Sequence, residues 1–210
     1  MPKFDNFKLE HFPNNVSIYQ SDNLYKFTQD AILLAKFCNI KHSDDVLELC
    51  AGSGVISLYA YSLCAFSHLY FNEIQKEMCE IIEENIKFNN LKRRSKIFNC
   101  NLKDLKPSDF PRSPDVVICN PPYQKVNEQS KINDKREIAL ARHEIEATLE
   151  DIIKKASELI KDKGRFYIVH LASRSVELIS LCSKYNMEVK RLKFIFNGDK
   201  EAYLVLAEAV

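Results

Sequence analysis

From residue 45 onward, short runs of β-branched and apolar residues alternate with longer stretches in which apolar residues recur every three or four positions. Candidate strands are 45–50, 68–71, 95–100, 115–119, 165–170, 188–194 and 202–208. Helical spacing fills 55–64, 76–89 and 148–160, and Ile81, Ile82, Asn85, Ile86 and Asn89 mark the period in the second of these. Strands that alternate with helices predict a parallel sheet covered on both faces, because each parallel crossover needs a covering element. Only a short turn holding Asn197-Gly198-Asp199 separates the last two strands, which suits an antiparallel hairpin. The pattern therefore predicts an α/β fold with a seven-stranded, mostly parallel sheet ending in an antiparallel hairpin. No internal repeat or low-complexity linker divides the chain, so residues 1–210 are expected to form one domain with an N-terminal extension over about 1–24. One segment breaks the alternation. Residues 124–141 are polar and poor in β-formers; loops this long inside compact domains are usually functional or disordered.

Composition narrows the classes without naming one. The apolar fraction is 46% and the charged fraction 28%, both ordinary for a soluble globular chain of 210 residues. Net charge is +1, so any contact with phosphates must come from local clusters of Lys and Arg. The seven cysteines (Cys38, Cys50, Cys64, Cys79, Cys100, Cys119 and Cys182) are odd in number and include no C-x-x-C pair. That argues against a disulfide framework or a zinc ribbon and points to a reducing, cytoplasmic setting. No secretory leader and no apolar run of membrane-spanning length is visible, so no membrane association is expected.

Three motifs carry chemistry. Val46-Leu47-Glu48-Leu49-Cys50-Ala51-Gly52-Ser53-Gly54-Val55 is a strand end, a glycine turn and a helix start. Glycines admit close backbone approach, and a helix N-terminus offers donors, so a nucleotide-type cofactor fits there. Glu73 closes the next strand, where a carboxylate can accept both hydroxyls of an adenosine ribose; its alternative is a charge stabilising the following helix. The third motif is Asn120-Pro121-Pro122-Tyr123, after the apolar run ending at Cys119. Its prolines stiffen the chain, leaving the Asn120 amide oxygen and the Pro121 carbonyl as acceptors beside an aromatic ring. Two acceptors and a stacking face match an exocyclic amino group on a flat base. As the motif adjoins residues 124–141, that loop is expected to be a lid ordered by substrate.

With the Glu48-to-Gly54 loop, Asn120-Pro121-Pro122-Tyr123 resembles the signature of Rossmann-like class I methyltransferases acting on amino groups: adenine N6, guanine N2 or a protein glutamine. The stretch from Tyr25 to Ala35 resembles that family's N-terminal cofactor segment, and Glu73-Ile74-Gln75 its second-strand signature. Ala141-Arg142-His143-Glu144 resembles a motif of the bacterial tRNA (adenine-N6) methyltransferases that modify the base just 3′ of the valine tRNA anticodon. The resemblance implies S-adenosylmethionine as cofactor and a tRNA anticodon loop as partner. It implies cofactor contacts at Tyr25, Gln29, Asp30, Glu48, Ala51, Gly52, Gly54, Glu73, Ile74, Asn101 and Leu102. The catalytic set would be Asn120, Pro121, Pro122 and Tyr123, and the RNA contacts Lys125, Arg142 and His143.

The chain departs from the family pattern at several positions. Cys50 stands where the loop often has glycine, and Glu48 where aspartate is more usual. Asn101 takes the place of the acid that accepts from the cofactor adenine; Asp104 is an alternative. No metal is expected: His143-Glu144 lacks the second histidine of a zinc protease, residue 147 being Ala. Lys92-Arg93-Arg94 reads as a helix C-terminal cap complementing the dipole, or with Lys96 as a phosphate patch; Lys190-Arg191-Lys193 is similarly open. The competing functions are a protein glutamine N5-methyltransferase, an rRNA guanine N2-methyltransferase and a non-catalytic RNA-binding factor. The glutamine enzymes usually carry a sizeable N-terminal helical domain, and only a short segment precedes Tyr25 here.

Overall fold

The computed structural model describes residues 7–21, 29–121, 147–198 and 201–210. A hairpin of β1 (Phe7–His11) and β2 (Ser17–Ser21) precedes helix α1 (Gln29–Phe37). Then follow β3 (Asp45–Leu49), α2 (Val55–Leu63), β4 (His68–Asn72), α3 (Lys76–Phe88), β5 (Ser95–Phe98) and β6 (Val116–Cys119). The chain closes with α4 (Leu149–Leu159), β7 (Arg165–Leu171), α5 (Ser175–Lys184), β8 (Val189–Phe196) and β9 (Ala202–Ala209). Tyr25, Pro122, Tyr123, Lys125, Arg142, His143 and the 124–141 segment lie outside the described residues, save that 121 closes the described stretch before them.

The main sheet has seven strands in the order β5-β4-β3-β6-β7-β9-β8. β3 to β7 pair in parallel, β9 lies antiparallel against β7, and β8 lies antiparallel on the outside of β9. The expected terminal hairpin is present, with its second strand inserted next to the parallel sheet. Every residue of β3 and β6 is buried, as central parallel strands covered on both faces should be. Alternate residues feed two cores. Val46, Phe71, Ile118 and Val169 pack with Leu34, Leu58 and Ile82 on the face covered by α1, α2 and α3. Leu47, Val117, Phe166 and Ile168 pack with Ile152, Ile153 and Leu178 under α4 and α5. Helix α4 begins with a capping box: Thr148 Oγ1 accepts from the Asp151 amide at 3.1 Å, and Asp151 Oδ2 accepts from the Thr148 amide at 3.0 Å. Among the described residues no helix is long and apolar enough to cross a membrane.

The N-terminal hairpin explains two polar residues on the apolar face of α3. Asn85 Oδ1 accepts the Tyr19 amide at 2.6 Å, and Asn89 Oδ1 accepts the Ser17 amide at 2.9 Å. Asn89 Nδ2 donates back to the Ser17 carbonyl at 2.6 Å. Four residues apart, the two side chains stand on one helix face and satisfy the edge of β2 as another strand would. The buried Asn85 also donates to the Ser53 carbonyl at 3.1 Å, joining the hairpin to the glycine turn.

The basic run at 92–94 is not a helix cap. Helix α3 ends at Phe88, Asn90 adopts a left-handed φ of 57°, and Lys92–Arg94 forms a separate single turn. Arg94 donates to the Phe66 carbonyl at 3.2 Å, so the run anchors the entry to β5.

Candidate active site

The sheet registers bring the predicted motifs to one edge. Leu49 is level with Asn72 on one side and Cys119 on the other, and Asn72 is level with Phe98. Glu73, Cys50 and Asn120 therefore emerge in one row on three neighbouring strands, each about 4.8 Å from the next. Chain order reverses between β3 and β6, and such a reversal opens a crevice at the carboxyl ends of the strands.

The turn after β3 is built of left-handed residues: Cys50 (φ 53°), Gly52 (φ 54°) and Gly54 (φ 76°). At Gly54 a side chain is excluded twice over, because its Cβ would also sit 2.9 Å from Phe71 Cε1. Cys50 accepts the same backbone geometry at a cost of about 1 kcal/mol, which is the physical sense of the glycine common there in related loops. Gly54 caps α2 without a side-chain partner.

Glu73 ties this turn to β4. It is 3% exposed; Oε2 accepts the Gly52 amide at 2.8 Å and Oε1 accepts the Gln75 amide at 2.9 Å. A carboxylate can accept about four hydrogen bonds, so these two amides alone do not exhaust it. Asn99 Nδ2 holds the same segment by donating to the carbonyls of Glu73 at 3.0 Å and Ile74 at 2.9 Å.

Beside Glu73 opens a shallow cleft lined by Cys50, Asn72, Glu73, Ile74, Cys100, Asn101, Leu102 and Ala147. Four of the expected cofactor residues, Glu73, Ile74, Asn101 and Leu102, meet there. Asn72, Cys100 and Ala147 had no motif to announce them: Asn72 is set by the end of β4, and Ala147 enters from far along the chain. Of the two candidates for the adenine edge, Asn101 lines the cleft, while Asp104 is exposed and does not. Asn101 Oδ1 also accepts the Lys103 amide at 3.0 Å, capping the turn Leu102–Asp104.

The remaining expected contacts among the described residues are not in the lining of this cleft. Ala51 and Gly52 form the turn, Gln29 and Asp30 open α1, and Asn120 and the buried Pro121 follow β6. Glu48 is 1% exposed, and its Oε2 accepts the Ser57 amide at 2.8 Å inside α2. Its Oε1 is buried without a hydrogen bond. Burial pushes its carboxyl up to about 7, against the lowering effect of the Ser57 and Ile56 bonds and with a further push from the Glu73 charge. Glu48 thus supports the turn from beneath and is not among the residues that line the cleft. No group of three or more His, Cys, Asp or Glu side chains suited to a metal occurs among the described residues.

The chain is similar to known proteins. The family model of the methyltransferase small domain matches residues 12–194. The tRNA1(Val) (adenine(37)-N6)-methyltransferase of Aliivibrio salmonicida (strain LFI1238) is 26% identical over 172 residues, which are 82% of this chain and 71% of that protein. The enzyme of the same name from Dyadobacter fermentans is 22% identical over 98% of this chain and 82% of its own length. Among solved structures, Methanocaldococcus jannaschii Trm5 in complex with adenosine superimposes with a TM-score of 0.68 at 15% identity, covering 99% of this chain and 55% of that one. The precorrin-6y C5,15-methyltransferase of Geobacter metallireducens gives 0.59 at 14% identity, with 91% of each chain covered. These two are likenesses of fold. With the family model spanning all but the ends of the chain, and the glycine turn, Glu73 and Asn120 in one row at the sheet's switch point, the chain belongs to the methyltransferase small-domain family.

Proposed function

We propose that this methyltransferase takes its methyl group from S-adenosylmethionine and places it on N6 of an adenine in tRNA, in the anticodon loop. The observation that carries the reading is the row of Glu73, Cys50 and Asn120, which sets a cleft lined by Glu73 and Asn101 beside an amino-group motif. The tRNA adenine-N6 enzymes with which the chain aligns over most of its length support the choice of base.

The residues present fit the cofactor. Glu73 places a carboxylate at the cleft for ribose hydroxyls, Ile74 and Leu102 offer apolar surface for a ring, and Asn101 offers a carboxamide at its edge. When bound, S-adenosylmethionine supplies an electrophilic methyl group. The protein's part is to hold the nucleophile. The N6 lone pair of adenine is delocalised into the ring and reacts poorly. The Asn120 amide oxygen and the Pro121 carbonyl accept the two N6 hydrogens, which favours a pyramidal nitrogen and fixes it in the productive direction. The same oxygens stabilise the positive charge that grows on nitrogen, and the extra proton then leaves to solvent without a prior base. An anticodon-loop base is already unpaired, so presenting it costs little.

Two experiments test this. Nucleosides from tRNA of cells with and without the gene, compared by mass spectrometry, should differ in N6-methyladenosine. In the purified enzyme, Asn120→Ala should leave S-adenosylmethionine affinity nearly intact and lower methyl transfer at least about a hundredfold. Unchanged tRNA nucleosides, with methylation of a protein glutamine instead, would replace the RNA reading. Near-normal turnover by the Asn120 variant would remove its role.

A further inference from the structure

The outer strand of the sheet carries surface that the methyl-transfer site does not use. β8 reads Val189-Lys190-Arg191-Leu192-Lys193-Phe194-Ile195-Phe196, and Phe196 is 60%, Phe194 41% and, on β9, Tyr203 43% exposed. Three large aromatic rings close together at a sheet edge are unusual on a soluble surface.

Strand directions place these rings on the reaction edge. β8 and β7 both run antiparallel to β9, so β8 points the same way as β6. Its C-terminal end leaves the sheet on the side from which Asn120 emerges. The registers sharpen this: Cys119, Ile168, Ala207 and Leu192 lie in one row across β6, β7, β9 and β8. Asn120 is therefore level with Lys193, and Phe194 and Phe196 lie just beyond. Three strand spacings separate them, about 14 Å, which is about four nucleotides stacked at 3.4 Å.

The charges at this strand are not equivalent. Arg191 is used internally: it pairs with Glu208 at 2.8 Å, donates to the Phe37 carbonyl at 2.6 Å and lies 4.0 Å over the Phe37 ring. Lys190 pairs with Glu188 on the surface. Lys193 is exposed and makes no ion pair among the described residues. An exposed lysine in the middle of an edge strand, with register shifts at Val189/Arg191 and Ile195/Phe196, also opposes pairing with the same strand of a second copy. Lys193 and Phe194 follow one another in β8, and their partners Leu206 and Val205 belong to the two opposite cores, so the lysine and the ring stand on opposite faces of the sheet. Aromatic faces at an edge that opposes strand pairing suit unpaired nucleotides, whose bases stack on the rings.

We infer that Phe194, Phe196 and Tyr203 form a stacking platform for unpaired nucleotides of the RNA substrate that flank the base held at Asn120. The inference rests on the RNA reading of the site. The platform grips RNA before methyl transfer, so it sets RNA affinity and leaves the cofactor site alone.

The test uses the full-length protein and a synthetic stem-loop carrying the valine tRNA anticodon loop. Phe194→Ala combined with Phe196→Ala should weaken stem-loop binding at least about tenfold, with S-adenosylmethionine affinity and thermal unfolding unchanged. In the wild-type protein, photocrosslinking from 5-bromouridine in the loop should label the peptide spanning 192–203, a readout that needs no variant to fold. Wild-type binding with unchanged affinity in the double variant and no label on that peptide overturns the platform and leaves the RNA reading standing. A wild-type protein that neither binds nor methylates RNA overturns both. A wild-type dimer that the double variant converts to monomers, at unchanged RNA affinity, assigns the face to a second copy instead.

Discussion

The two edges of the central sheet bury carboxylates equally and treat them differently. Asp44, Asp45 and Asp115 at the amino edge and Glu48 and Glu73 at the carboxyl edge are all no more than 3% exposed. At the amino edge each acid meets cations. Arg165 reaches Asp44, Arg112 and His68 each reach Asp45 at 2.7 Å, and Lys161 and Arg112 reach Asp115. Against the desolvation that alone would raise them, these partners hold the Asp45 and Asp115 carboxyls below the usual range. At the carboxyl edge the glutamates are met by backbone amides, from Gly52 and Gln75 on Glu73 and from Ser57 on Glu48. Glu48 has no ion pair among the described residues, and its carboxyl rises to about 7. Side-chain cations hold the acids of one edge, and at the other edge the backbone of the turn beside the cleft holds them.

The largest effect expected from breaking this contrast is at Glu48. Its folded-state value lies above the ordinary 4.5, so its favourable contribution is complete below that pH and is lost as the pH rises toward 7. Glu48→Gln should therefore be about neutral at pH 4 and stabilising by up to roughly 3 kcal/mol at pH 8, measured by urea unfolding. An equal effect at both pH values would show that Glu48 is not protonated on folding.

At the amino edge, Asp115→Ala should cost about 2 kcal/mol, because the Asp45 amide loses its acceptor and Lys161 its anion. The figure is modest because Lys161 and Arg112 are half-exposed and can turn to water. S-adenosylmethionine affinity, by calorimetry, should not change. A large loss of affinity would mean that the two edges are energetically coupled.

Glu73→Ala should do the reverse, weakening S-adenosylmethionine binding at least about tenfold through lost charged acceptors. Unchanged affinity would move the ribose contact elsewhere. The smallest effect is expected at Cys50. Cys50→Gly relieves left-handed strain of about 1 kcal/mol but adds a similar loss of backbone entropy, so stability should move by less than about 1 kcal/mol with activity retained. A larger loss of activity would show that the thiol itself serves the cleft.

Much of this edge was legible in the residues. The glycine turn, Glu73 and Asn120 advertise themselves because each demands a rare backbone or acceptor geometry, and the strand bounds from β3 to β9 fall within about two residues of expectation. What escaped did so for physical reasons. Helix α5 buries only Leu178 and Cys182, too thin an apolar stripe to mark its period. The β1–β2 hairpin turns through Pro13-Asn14-Asn15, with both asparagines left-handed, and its edge is satisfied by side chains seventy residues away. The cation network of the amino edge was illegible for the same reason: Asp45, His68, Arg112 and Asp115 meet only when the sheet assembles.

Asn85 makes that long reach consequential for the order of events in folding. One carboxamide accepts from Tyr19 and donates to Ser53, so the polar edge of β2 finds these partners only when α3 has wound and brought Asn85 and Asn89 onto one face. The hairpin should join late and leave early, opening as a unit of lower stability than the sheet beneath it. In hydrogen exchange, the Ser17 and Tyr19 amides would then act as a clock for the helix, since their protection begins when α3 is complete and ends when its last turn frays.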